Sequence, residues 1–343
     1  MPNLIRLPKT NELLLRNARK AIRVALPWKP RCKMFNIDFK SDSAKLVAAF
    51  LAVYLIWGST YLAIRFGLES LPPFLMSGSR YLIAGALIYL YAWKKGAGHP
   101  SRAQWLRATI IGVLLFVLGN GGIVLAAQSI PSGLVSLMVA TVPIYVVLLD
   151  WWKGGKAPSH FTGAGLAVGV LGMVLLLGPS KIGGATSVDP VGIVWAMLAS
   201  LAWAVGSLYA RHADLPKSQL QSAGMQTVTA GAIMMLISAG IGETSGFNIA
   251  EVSTKSWLSL LYLIVFGSIV GFTAYVYMLK SASPTRVSTY AYVNPVVAVF
   301  LGWALAGEAV TSQTIMASGV ILCAVWLITR PSKPKLQAIA VPS

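Results

Sequence analysis

The chain has 343 residues, 56% of them hydrophobic and 11% charged, with a net charge of +18 and a mean hydropathy of +0.70. A soluble domain carries about 25% charged residues, so this composition excludes a water-facing globule and makes the bilayer the natural solvent. The basic excess fits either nucleic acid or membrane topology, and its distribution along the chain decides between them.

Residues 1–45 form a basic tail with eleven Lys and Arg. Within it, NELLLRNARKAIRVAL (11–26) sets Leu14, Ala18, Ala21, Ile22 and Ala25 on one helical face and Arg16, Lys20 and Arg23 on another. This reads as a helix lying on an anionic membrane surface, as a basic tail without structure, or as a stretch preceding a translation start at Met34. No secretory-signal pattern precedes residue 45.

A helix that crosses the hydrocarbon needs about 20 mostly apolar residues. Ten such runs are predicted, at 46–65, 74–93, 107–128, 132–152, 160–178, 190–210, 219–241, 257–279, 284–304 and 311–329. Turn formers fill the gaps, as in Leu71-Pro72-Pro73 and Ile130-Pro131-Ser132-Gly133. Residues 330–343 form a C-terminal tail. No room is left after residue 45 for a soluble catalytic domain.

Counted loop by loop from a cytoplasmic start, 24 of the 28 Lys and Arg fall on one side. Arg65, Lys181 and Lys255 fall on the other, and Arg80 lies inside a span. This is the positive-inside pattern with both termini cytoplasmic. The basic surplus is therefore topological, and no nucleic-acid partner is expected.

The two halves repeat. A shift of 152 pairs 128–155 with 280–307 at eight identities in 28, among them Pro143/Pro295, Trp151/Trp303 and Gly155/Gly307. A shift of 146 pairs 57–86 with 203–232 at seven in 30, including Trp57/Trp203, Arg65/Arg211 and Gly78/Gly224. Each half, 46–178 and 190–329, holds five spans, an odd number, so the second must enter the membrane from the opposite side. The predicted fold is all-α integral membrane, with ten transmembrane helices as two inverted five-helix repeats around a central cavity. Such repeats recur in secondary transporters that hold substrate near the midplane.

Several residues are candidates to line a pathway. Proline inside a helix frees the carbonyl four residues back, so Pro143 would free that of Val139 and Pro295 that of Ala291, for a cavity or simply as packing kinks. Arg80, an ionisable group at membrane depth, is either a framework anchor or a contact for a substrate anion. Uncharged polar and aromatic groups complete the set: Ser59, Thr60, Asn120, Tyr145, Trp203, Ser207, Gln226, Thr273, Tyr275, Tyr290 and Asn294. Such walls suit an amphipathic small molecule, whereas Ser and Thr in spans also serve helix packing.

No span centre carries Asp or Glu. Asp150 reads as interfacial beside Trp151 and Trp152, Glu69 and Glu308 fall in outer loops, and His99, His160 and His212 lie at cytoplasmic loops. Direct proton coupling thus lacks a carrier, and facilitated diffusion or exchange is expected. Metal-binding and catalytic motifs are absent, and Cys32 and Cys323 make neither a disulfide framework nor a metal set. No cofactor, metal or enzymatic activity is expected. A lipid-modifying membrane enzyme would need His, Asp or Glu clustered at one face. A non-transporting sensor or scaffold would more naturally carry a soluble signalling domain.

WGSTYLAIRFGLESLPPFLMSGSRYLIAG (57–85) and NPVVAVFLGWALAGEAVTSQTIMASGVIL (294–322) resemble the drug/metabolite transporter superfamily, specifically its ten-helix permeases with two EamA repeats. Gly307-Glu308 matches a Gly-Glu dipeptide of that family, where the first repeat has Gly155-Lys156. The resemblance covers roughly 46–330. It implies a multi-pass protein of the bacterial inner membrane that exports amino acids, related metabolites or drugs, with lipid and a small solute as its partners and a single chain sufficient. It also implies a cavity drawn from helices that carry Trp57, Asn120, Tyr145, Trp203, Tyr275 and Asn294, and an architectural task for Arg80.

Overall fold

The computed structural model describes residues 42–154, 157, 160–177, 189–282, 287 and 289–329. The amphipathic stretch at 11–26, Cys32, Met34, Lys181, the Gly155 and Lys156 positions and the C-terminal tail lie outside them. The chain divides into the units Met1–Ala44 and Lys45–Ser343. Of the first, the described residues are those that open the first helix.

Ten helical rods, one 3-10 turn at Ile249–Glu251 and no strand occur among the described residues. The rods are α1 Asp42–Gly67, α2 Pro73–Lys94, α3 Arg102–Ala126, α4 Ser132–Trp152, α5 His160–Leu177, α6 Pro190–His212 and α7 Gln219–Gly240. After these come α8, built from Thr254–Tyr262, Leu263–Val270 and Gly271–Ser281, then α9 Tyr290–Ala306 and α10 Ser312–Thr329. By length and composition seven are fit to cross a membrane, α1 to α4 and α6 to α8. Shorter apolar helices occupy His160–Gly172, Val293–Ala306 and Ser312–Ile328. Local chemistry sets several starts. Ser101 and Gln104 close a capping box on α3, and Asp189, Ser218 and Ser253 accept from the first-turn amides of α6, α7 and α8.

Glycine decides the closest packing. Gly78 and Gly85 of α2 lie against Met235 and Val228 of α7, while Gly224 and Gly231 of α7 lie against Tyr89 and Leu82 of α2. Ascending numbers meet descending ones, so the two helices run antiparallel. A Cβ at any of these four glycines would come closer than 3.0 Å to partner backbone. Without a hydrophobic drive between helices in lipid, such close approach supplies the attraction. Gly165, Gly169 and Gly172 of α5 meet Ile328, Ala324 and Ile321 of α10 in the same sense. α3 runs antiparallel to α6, with Gly122 on Ala199 and Gly206 on Leu115, and α8 to α1, with Gly271 on Trp57.

The α1–α2 end of the bundle is tied by charge. α2 and α4 begin after Pro72 and Pro131, which have no side-chain oxygen with which to cap. Remote carboxylates serve instead. Glu243 accepts from the amides of Phe74 (3.1 Å) and Leu75 (2.8 Å), and Glu308 from those of Ser132 (2.8 Å) and Gly133 (3.2 Å). Glu308 also pairs with Arg65 at 2.9 Å, its side chain only 4% exposed. Glu308 does fall in the loop between α9 and α10, as the sequence reading has it. Its carboxylate folds into the protein because the helix N-terminus attracts it. At the opposite end Arg107 pairs with Asp214 at 2.7 Å and Arg211 with Asp150 at 3.8 Å, all largely exposed.

Gly231→Ala is expected to lower the thermal stability of the detergent-purified protein, because overpacking costs about 1–3 kcal/mol against a helix-propensity gain of about 1 kcal/mol. Gly240→Ala, where the added carbon meets open space, should not. Glu308→Gln is expected to destabilise by about 2 kcal/mol through lost charge-assisted bonds. Glu69→Gln, in the half-exposed 2.5 Å pair with Lys255, should cost less than about 1 kcal/mol. Thermal unfolding of the four variants beside wild type checks both statements.

Candidate functional site

A cavity of about 170 Å³ occupies the middle of the bundle between α1, α2, α3, α4, α6, α8 and α9. Three breaks in regular helix border it. α3 passes through a π segment at Val113–Asn120, and α8 through one at Leu263–Val270. α4 is interrupted at Ala140 and Thr141. Irregular backbone at membrane depth is tolerated where it is buried or lines a cavity, and π turns cluster at functional sites.

Of the residues singled out in the sequence, Trp57, Thr60, Arg80, Asn120, Trp203, Tyr290 and Asn294 line this cavity, as do Pro143 and Pro295. The two prolines differ in setting. Pro143 sits in the first turn of the helical segment Val142–Trp152, so α4 restarts there rather than kinking through it. Pro295 lies inside the continuous helix α9. Tyr275 falls one layer away, lining a second cavity of about 380 Å³ with Ser207 and Gln226. Tyr145 lies beyond the break in α4 and lines neither. Thr273 is exposed and donates to the carbonyl of Ile269 at 2.7 Å.

Most polar groups of the wall are engaged locally. Thr60 donates to Trp57 O at 2.6 Å, and Ser136 to Gly133 O at 2.7 Å. Asn120 donates to Leu115 O at 3.4 Å, across the π segment. Asn294, with its amide turned to donate, bridges the carbonyls of Tyr54 (3.3 Å) and Tyr290 (3.2 Å) and ties α1 to α9. Ser59 bonds Tyr262 at 2.6 Å. Arg80 is 7% exposed, and its Nε donates to Ser268 Oγ at 3.0 Å.

The two cavities share five aromatic walls, those of Trp57, Phe116, Trp203, Phe272 and Tyr290. Their rings touch in sequence. Trp57 meets Phe272 at 5.7 Å and Tyr290 at 5.4 Å, and Phe116 meets Phe272 at 5.7 Å and Trp203 at 6.2 Å between centroids. Trp57 Nε1 donates to Gly267 O at 3.2 Å. The second cavity opens among Leu215, Pro216 and Gln219 at the α6–α7 end. Towards the α1–α2 end, buried Ile64, Ile123, Ile130 and Leu134 pack together. Beyond them a cavity of about 900 Å³, lined by Arg65, Glu69 and Glu308, shares no residue with the central one. Sequence reasoning missed Tyr61, Tyr81, Phe116 and Phe272 as wall residues, because a ring in an apolar run carries no mark of the face it turns inward. Among the described residues no three His, Cys, Asp or Glu converge.

The EamA-like transporter family model matches residues 44–178 and again 190–330. The chain belongs to that family. The uncharacterized inner membrane transporter YedA of Escherichia coli (strain K12) is 38% identical over 300 residues, covering 86% of this chain and 95% of that protein. The uncharacterized transporter YoaV of Bacillus subtilis (strain 168) is 26% identical, with 83% and 97% covered. A protein of known crystal structure shares the fold at a TM-score of 0.57 and 20% identity, covering 84% of this chain and 98% of that one. As a family member the chain is a membrane transporter, and the layer of rings forms the wall common to its two inner cavities.

Trp57→Ala is expected to breach that layer. In protein carrying Cys32→Ser and Cys323→Ser, a thiol installed by Asn120→Cys should then react several-fold faster with a water-soluble maleimide. The labelling rate with and without Trp57→Ala checks this.

Proposed function

We propose that the protein exports a small organic solute across the bacterial inner membrane, exposing the central cavity alternately to each side. The solutes are amino acids, related metabolites or drugs. The observation that carries this reading is the central cavity itself, walled by rings and bordered by three breaks in helix. The fold is read as ten membrane helices in two inverted five-helix repeats. Supporting it, the contacts of Gly78 with Met235 and Gly224 with Tyr89 exchange under the repeat shift of 146, as do those of Gly85 with Val228 and Gly231 with Leu82. An exchange of this kind between antiparallel helices is what a two-fold axis in the membrane plane would produce. The paired π segments of the third and eighth helices support it as well.

Both termini are assigned to the cytoplasm, because Lys and Arg concentrate at the end that holds Lys94, Arg107, Lys153 and Arg211. The cavity then meets the cytoplasmic side through one layer of rings and is closed outward by the aliphatic cluster and the Arg65–Glu308 pair. One chain contains every wall of the cavity, so a monomer suffices. With no carboxylate on the cavity wall, exchange or facilitated diffusion is the favoured mode.

Purified protein in liposomes should drive saturable counterflow of labelled solutes from a panel of amino acids and aromatic metabolites, with or without a pH gradient. Trp203→Ala should lower its rate by about tenfold or more, as expected when a substrate-positioning group is lost. No flux across a broad panel would remove the transport reading.

A further inference from the structure

We infer that the central cavity is built for an organic acid, its carboxylate held by Arg80 and its apolar, ring-sized body set against the aromatic layer. This rests on the reading of the cavity as the solute site. Three observations converge on it.

Arg80 is nine-tenths buried at membrane depth, and the bond from Nε to Ser268 Oγ is the one hydrogen bond its guanidinium makes among the described residues. The guanidinium lies over the ring of Tyr81 at 4.8 Å, a neutral partner, and among the described residues no carboxylate is within ion-pair reach. A guanidinium offers five donors, and a buried charge without a partner is strongly unfavourable. An anchoring arginine would spend its terminal nitrogens on carbonyls or a carboxylate, as Arg65 does on Glu308. Those of Arg80 remain unspent beside the cavity.

A glycine makes room for the guanidinium at the cavity. Gly267, in the π segment of α8, lies under the guanidinium, and a Cβ there would come 3.0 Å from Nη2 and 3.1 Å from Thr60 Cγ2. The missing side chain lets the guanidinium itself lie close against this stretch of α8 at the cavity edge.

The rest of the wall selects sign. Thr60, Ser136, Asn120 and Asn294 spend their donors on backbone carbonyls and keep only neutral oxygens for a ligand, and among the described residues no Asp or Glu lines the cavity. A solute carboxylate finds the opposite charge of Arg80, whereas a solute ammonium finds only neutral oxygens and a like charge. The favoured ligand is thus an acid whose amine, where present, is not required.

The test compares 3-phenylpropanoate, 3-phenylpropanamide, 3-phenylpropylammonium, phenylalanine and N-acetylphenylalanine as thermal protectants of the detergent-purified full chain. The acid should protect at concentrations at least tenfold below those of the amide and the ammonium, as expected for a bond to a charged group. N-acetylphenylalanine should bind no more weakly than phenylalanine. In Arg80→Gln the acid should fall to the level of the amide, while Arg80→Lys should retain part of the preference. The wild-type series decides the matter even where Arg80→Gln does not fold. Equal protection by acid and amide overturns the inference, as does an acid preference that survives in folded Arg80→Gln or a tenfold advantage of phenylalanine over its N-acetyl form. Counterflow that carries the amide as fast as the acid removes this inference and leaves transport standing. Absence of both flux and protection across the series removes both.

Discussion

Everything in this protein follows from one constraint, that a backbone amide or carbonyl in hydrocarbon must find its partner within the protein. The regular stretches satisfy it by i to i−4 bonding. The exceptions are therefore informative. Helix ends after Pro72 and Pro131 leave amides that local side chains cannot reach, and Glu243 and Glu308 arrive from distant loops to accept them. The π segments and the break at Ala140–Thr141 all border one cavity, where loosened backbone at membrane depth is tolerated.

The same constraint explains why charge sits where it does. The ion pairs of Arg65, Glu69, Arg107 and Arg211 lie at the ends of the bundle, within reach of water or of helix termini. Arg80 alone among the arginines of the described residues lies in the interior, bonded to one hydroxyl and resting on a glycine. Glycine serves a second purpose between α2 and α7, where it lets two backbones approach as closely as no side chain would allow. Packing, capping and site construction thus draw on the same small set of residue types.

Much of the fold was legible in the sequence. The apolar runs predicted at 74–93, 132–152 and 219–241 coincide within a residue or so with α2, α4 and α7. The candidate site was legible in part. Trp57, Arg80, Asn120, Trp203 and Asn294 meet at the cavity, whereas Tyr275 stands one layer off and Tyr145 lines neither inner cavity. Phe116, Phe272 and Tyr81 went unnoticed. A span that is apolar all round has lipid on one side and protein on the other, and both accept the same side chains. The hydropathy pattern that tells inside from outside in a soluble helix is missing here.

The sequence by itself determined that the chain is built for a membrane, roughly where its apolar helices lie, and that its halves repeat, because length, composition and matched Trp, Pro and Gly are properties of order along the chain. Only the tertiary structure decided that Glu308 caps α4 rather than facing water, that Pro143 restarts a helix while Pro295 rides inside one, and that Arg80 keeps its terminal nitrogens free. These outcomes depend on which distant groups come within about 3 Å of one another. That is settled by the packing of the helices and not by the order of residues within any one of them.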